Sequence, residues 1–255
     1  GPPRDSTPKV LTPSADGVTV YQNDLASIDA SNTSQGYVMV KYNGTNEKVK
    51  LQITCPDQSC YTYLISDRGA YDTFPLTAGN GSYALQVLEN VAGDTYTVSL
   101  AQSINVSIED EFLPFLYPNQ YVNFHTDSKA VSKGSDLAKD TYSDLDVVQN
   151  IYNYVIKNIS YDTEKAQNVS YGYVPDIEDT LSSKKGICFD YAALMTSMLR
   201  SQNIPTKLEV GYSGDAYHAW ISTYIDDKGW VDDIIQFDGD TWQIMDPTLA
   251  ATNDS

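Results

Sequence analysis

Cys188, His218 and Asp246 stand in that order along the chain, each in a setting suited to chemistry. The cysteine follows a glycine turn, Lys184-Lys185-Gly186-Ile187-Cys188, and opens an apolar run, Phe189-Asp190-Tyr191-Ala192-Ala193-Leu194. A thiol at a helix start meets unpaired backbone N–H groups and the positive end of the macrodipole, and both favour a thiolate. His218 lies in Tyr217-His218-Ala219-Trp220, and Asp246 opens Asp246-Pro247-Thr248. A thiol, an imidazole and a carboxylate are the parts of a nucleophile, its base and the group that orients the base. Taken singly, each has an inert reading. Cysteine is among the most buried residue types, His-Ala-Trp suits a core strand, and Asp-Pro-Thr is a common turn.

The elements that must position these residues are legible as periodicities. From Ser143 the apolar residues Val147, Val148, Ile151, Tyr154, Val155 and Ile159 recur at helical spacing, with Ser143 as N-cap and Asp146 in the first turn. A second helix begins near Cys188 and ends at Asn203, since Pro205 cannot continue it. Strands follow at 206–210, 218–225, 229–231 and 241–246. The expectation is that His218 heads one strand and Asp246 ends a neighbouring one, both opposite the cysteine helix. Helices first and antiparallel strands after them make an α+β layout.

The preceding half is different. Residues 18–108 hold short alternating runs such as 37–42, 49–53 and 82–88, separated by Asn43-Gly44, Asp67-Arg68-Gly69 and Gly79-Asn80-Gly81. They read as an all-β sandwich. The expected organisation is a flexible tether at 1–17, the sandwich at 18–108, an apolar, proline-punctuated interface linker at 109–134 and a catalytic domain at 135–255. His125, alone in the linker, is read as a packing or surface residue.

These segments together carry a family resemblance. Gly186–Leu194, Leu199–Lys207, Val210-Gly211-Tyr212, His218-Ala219-Trp220, Gly229-Trp230 and Met245-Asp246-Pro247-Thr248 resemble the transglutaminase-like core. Ile151–Asp162 is similar to that core's leading helix. The resemblance implies a papain-like α+β fold with Cys188 as nucleophile, His218 as base and Asp246 as orienting residue. Trp220 then stands beside the histidine, with Gly186 and Asp190 behind the nucleophile. The oxyanion hole uses the Cys188 N–H and a second donor that the resemblance does not identify. The implied activity is acyl transfer through a Cys thioester, as peptidase, amidase or crosslinking enzyme, with hydrolysis favoured. The alternative is a non-catalytic surface module that binds through its β-sandwich. The compact core behind a sandwich resembles exported or lipid-anchored bacterial members.

Composition sets the outer limits. With 34 acidic and 16 basic side chains the net charge is -18, which disfavours nucleic acid and anionic membrane as partners. A protein, peptide or cell-wall peptide is the expected substrate. Twenty tyrosines against six phenylalanines read as strand-rich structure. Cys55 and Cys60 enclose the turn Pro56-Asp57-Gln58-Ser59, so a local disulfide and an oxidising compartment are expected, two unrelated thiols being the alternative. No Cys/His zinc spacing or cofactor motif occurs, and the acidic run at 226–240 reads as a solvated rim rather than a calcium site. No apolar run is long enough to span a membrane. The opening Gly1-Pro2-Pro3 reads as the end left once an export or lipid-attachment segment is removed, and the expected location is extracellular or at the cell surface.

Overall fold

The computed structural model describes residues 1–246. The chain forms two compact units, one of residues 13–114, the other of residues 1–12 together with the chain from Phe115 onward. The first unit interrupts the second in sequence.

The 13–114 unit holds two four-stranded sheets. Its strands are β1 (Val20–Gln22), β2 (Ala26–Asp29), β3 (Tyr37–Tyr42), β4 (Val49–Thr54), β5 (Cys60–Leu64), β6 (Asp72–Pro75), β7 (Gly81–Ala92) and β8 (Thr95–Val106). The sheets run β1-β2-β3-β6 and β5-β4-β7-β8. Strand β4 shows the alternation that drives this layering, with Val49, Leu51 and Ile53 buried and the residues between them half-buried. Tyr63 of one sheet meets Phe74 of the other at 5.0 Å between ring centroids, so the two faces share one core. β2 and β6 have no counterpart in the sequence reading. Ala-Ser-Ile-Asp and Asp-Thr-Phe-Pro are too short and too polar to signal by period.

The other unit is helical first and then antiparallel β. It contains α1 (Lys129–Ala138), α2 (Asp144–Asn158), β9 (Ser160–Tyr161), α3 (Thr163–Asn168), α4 (Ile177–Ser183), β10 (Lys185–Gly186), α5 (Cys188–Ser201), β11 (Thr206–Ser213), β12 (Ala216–Ile225), β13 (Gly229–Phe237) and β14 (Trp242–Ile244). The last four strands form one sheet in sequence order. Ser143 caps α2 by accepting the Asp146 N–H at 3.1 Å, as its sequence predicts. Helix α1 begins in the stretch read as linker and crosses the boundary expected at 134. The Glu178 carboxylate from α4 caps it, accepting from the Lys129 and Ala130 amides at 2.6 and 3.3 Å.

Helix α5 is the centre of this unit. Every one of its residues is buried, between α1, α2 and α4 and the sheet. Asn203 takes the left-handed conformation (φ 62°) that ends it. The buried Arg200 guanidinium then holds the exit, donating to the Thr206 carbonyl at 3.1 and 2.7 Å and to Tyr117 O at 2.7 Å.

Residues 1–12 are not a free tether. The Arg4 amide donates to Thr141 O at 2.7 Å, and its guanidinium reaches Asp144 at 2.7 Å and Gln202 Oε1 at 3.1 Å. Further along, the Lys9 amide donates to Ser201 O at 2.8 Å, and Ser6 O accepts from Ser135 and Gln202. Proline and small polar residues predict flexibility. Here they form an extended strap whose backbone groups are satisfied by α5 and its neighbours.

Candidate active site

Two short hydrogen bonds set the approach to Cys188. The Ser160 amide donates to Lys184 O at 2.8 Å and the Asp162 amide to Gly186 O at 2.9 Å, which pairs β9 in parallel with β10. Gly186 is required there. A Cβ on it would stand 2.7 Å from the Asp190 Cβ and 3.2 Å from its carboxylate. The Asp190 carboxylate is fully buried and accepts from the Ile187 amide at 2.9 Å, Lys165 Nζ at 2.9 Å and the Tyr173 hydroxyl at 2.5 Å. It closes the first turn of α5 and binds the 163–173 segment to it.

Cys188 is the first residue of α5 and only 1% exposed. Burial dominates its titration and pushes the thiol up to about 12. The Phe189 and Cys188 amides pull the other way, as expected at a helix start, while the Asp190 charge adds to the upward push. The sign expected of the helix N-terminus is present; desolvation outweighs it. At neutral pH this thiol is protonated.

Tyrosines enclose it. Tyr217 is pushed up to about 12, first by burial and then by Cys188, Tyr212 and Tyr121. Tyr161 is raised first by burial and then by Cys188. Its ring stacks on Phe237 at 5.5 Å and 14°. Tyr191 stacks on Trp242 at 5.4 Å, and Tyr121 meets Phe189 edge-on at 5.2 Å. Sequence reasoning assigned the tyrosine excess to strands in general and passed over Tyr161, Tyr173, Tyr217 and Lys165. The available signal was position: Tyr161 stands just beyond the helix that leads to the site, and Tyr217 directly precedes His218.

The three expected partners are not brought together. Tyr217, Ala219 and Ile221 of β12 pack on the core that includes Cys188, so His218 and Trp220 point to the sheet's other face. There the two rings stack at 5.2 Å and 23°. Among the described residues no hydrogen bond joins Cys188 to His218. Asp246 does not end a strand beside β12 either. It lies beyond β14, and β13 intervenes between β14 and β12. Because Ala219 pairs with Phe237 and the Met245 amide bonds to Ile234 O, Asp246 is also displaced along the strands. From standard strand rise and spacing, its backbone is roughly 15 Å or more from that of His218. The carboxylate opposite His218 is Asp238. His218 pulls its titration down, after the larger effects of the Thr241 and Asp240 amides. Pro247 and Thr248 of the Asp-Pro-Thr motif lie outside the described residues.

The expected disulfide is absent, and strand parity gives the reason. Cys60 pairs with Thr54 and shares its outward face, whereas Cys55, the next residue along, turns inward. The result is a buried thiol and an exposed one. In the acidic 226–240 stretch, Asp233 is pushed up by burial and by Asp232, while Asp238 accepts the turn amides of Asp240 and Thr241. Among the described residues no group of three or more His, Cys, Asp or Glu side chains is placed to hold a metal ion.

Helices followed by a four-stranded antiparallel sheet make this unit an α+β fold. Residues 132–232 match the profile of the transglutaminase-like superfamily. The chain is 33% identical over 98 residues to the UPF0252 protein MJ1282 of Methanocaldococcus jannaschii, a stretch that spans 34% of this chain and 28% of that protein. Two crystal structures resemble the chain more loosely. One, described as a candidate cysteine protease of Cytophaga hutchinsonii, is 15% identical with a TM-score of 0.41, covering 85% of this chain and 68% of that one. The other, a candidate protease of Parabacteroides distasonis, is 13% identical with a TM-score of 0.34, covering 87% and 63%. Residues 132–232 are a transglutaminase-like domain.

Proposed function

We propose that this chain catalyses thiol-dependent acyl transfer on peptide or carboxamide carbonyls, with Cys188 as the nucleophile. The observation that carries the reading is the placement of Cys188 on the first turn of α5 inside the transglutaminase-like domain. The thiol attacks the carbonyl, and His218 takes its proton and returns it to the leaving amine. Water as acceptor makes the protein a peptidase or amidase, which is the form we favour; a lysine amine makes it a crosslinking enzyme. Peptide, protein or cell-wall peptide at the cell surface is the substrate class that accompanies this reading.

The resting arrangement sets a condition on the mechanism. Cys188 is neutral, and His218, paired with Gly211 in the ladder, lies on the far face of β12, so catalysis requires β12 to rearrange locally and bring His218 to the thiol. The same observation favours a second reading, a binding module with an unused thiol. The two are separated by following amine release from carboxamide peptides, with and without an added primary amine. The enzyme reading expects turnover that is lost in Cys188→Ala and falls at least ~100-fold in His218→Ala, the usual contribution of a general base. Equal background release from all three proteins supports the binding module instead.

A further inference from the structure

Cys188 is 1% exposed, so no carbonyl or reagent reaches its sulfur until something beside it moves. Most of what surrounds the first turn of α5 is core. Helices α1, α2 and α4 and strand β12 all bury apolar side chains in the cluster that includes Cys188. Strand β9 is exposed, but the Ser160 and Asp162 amides bond it to the β10 turn. The segment from α3 to Tyr173 is different. No side chain of α3 is buried, and residues 167–172 are exposed.

This segment starts and ends at the turn that carries Cys188. At its start, the Asp162 amide is bonded at 2.9 Å to Gly186 O, on the N-terminal side of the cysteine. At its end, the Tyr173 hydroxyl donates at 2.5 Å to Asp190, on the C-terminal side, and Lys165 Nζ donates to the same carboxylate at 2.9 Å. A surface loop with closed ends therefore brackets the thiol. The Lys165 and Ala166 amides bond to Asp162, and the Tyr173 amide to Ser170 O, so these bonds shape the loop without attaching it. Attachment comes from the clasp on Asp190. The Lys165 ammonium also lies 4.6 Å from the centre of the Tyr173 ring, which meets Phe189 edge-on at 6.4 Å. The Asp190 side chain is fully buried while that of Lys165 is 29% exposed, so water reaches the clasp from the lysine side.

We propose that residues 163–173 are a gate over Cys188, held shut by the hydrogen bonds from Lys165 and Tyr173 to Asp190. Opening leaves a buried carboxylate with the Ile187 amide still donating to it, so the open form is a minor, transient population. Lys165 and Tyr173 are then positioning residues. They set how often the sulfur is reachable and take no part in bond making. Control of thiol access follows from these contacts alone; its effect on turnover rests on the acyl-transfer reading above.

The test compares wild type with Tyr173→Phe, Lys165→Met and Lys165→Arg at one fixed pH, by the rate at which iodoacetamide alkylates Cys188. Loss of one hydrogen bond to a charged group should speed alkylation about 10- to 100-fold in Tyr173→Phe and in Lys165→Met. Lys165→Arg, which keeps the charge and its donors, should stay within about threefold of wild type. Electrostatics alone gives the opposite sign for Lys165→Met, because removing a cation beside Asp190 disfavours the thiolate and slows the reaction. Should Lys165→Met fail to fold, Tyr173→Phe decides, since it retains the ring on Phe189. Amide hydrogen exchange on the same proteins should quicken within 163–173 and not in α2. An unchanged or slower Cys188 rate in Tyr173→Phe, or in folded Lys165→Met, overturns the gate. Exchange that quickens equally in α2 overturns it as well, since the whole domain has then loosened. If alkylation and exchange behave as expected but a p-nitrophenyl ester acylates Cys188 in none of the four proteins, the gate stands and the acyl-transfer reading fails.

Discussion

At the scale of single residues, the thiol of Cys188 is a contest between two effects of known sign. Helix amides favour the thiolate, and loss of water disfavours it. With 1% exposure, burial prevails. The linkage follows directly. A thiol whose folded pKa, about 12, stands above its unfolded value binds the extra proton between the two. This contribution to stability is intact below about pH 8.5 and is lost as pH rises toward 12. Iodoacetamide should therefore modify exposed Cys60 before Cys188, and the Cys188 rate should still be climbing at pH 9, as read by peptide mass spectrometry across a pH series. A plateau below pH 8 would place a base beside the resting thiol and contradict the facing found for His218. That facing was not legible in the sequence. Tyr217, Ala219 and Ile221 on one side of β12 and His218, Trp220 and Tyr224 on the other both contain apolar groups, so alternation does not say which set is inward. Cys188 was legible, because only one thiol follows a glycine turn into a helical run.

Among the elements, strong period and strong caps carried the reading. Helices α2 and α5 and the strands β3 and β4 are where their patterns predict them. The failures share one cause: partners distant in sequence. Helix α1 is capped by Glu178 from α4, β2 and β6 are ordered by β3 between them, and the strap at residues 1–12 is held by α2 and α5. The strap makes a direct prediction. Arg4 and Asp144 are 16% and 17% exposed, so their ion pair is less screened than a surface one. Arg4→Ala should destabilise the domain by about 1 kcal/mol, which lowers the melting temperature by about 2–4 °C in a chain of this size. An unchanged melting curve would return residues 1–12 to the flexible tether that their composition suggests.

For the whole molecule, the interrupted order of units explains why composition alone was a poor guide to boundaries. Residues 13–114 leave and return to one domain, so the opening segment belongs with the end of the chain and not with its neighbour. The charge of -18 acts on every part at once. Self-repulsion of that size disfavours the compact state and is screened by salt. Raising sodium chloride from 10 to 150 mM should raise the melting temperature, and a fall would show that ion pairs outweigh the general field.

The central claim is that Cys188 accepts an acyl group. Incubation with a p-nitrophenyl ester or an activated peptide amide, quenched in acid and read by intact mass and peptide mapping, tests it most directly. One acyl adduct is expected, located on the Cys188 peptide, labile to hydroxylamine and absent in Cys188→Ala. An unmodified Cys188 peptide under conditions that label Cys60, or an adduct that forms equally well in His218→Ala, would contradict it.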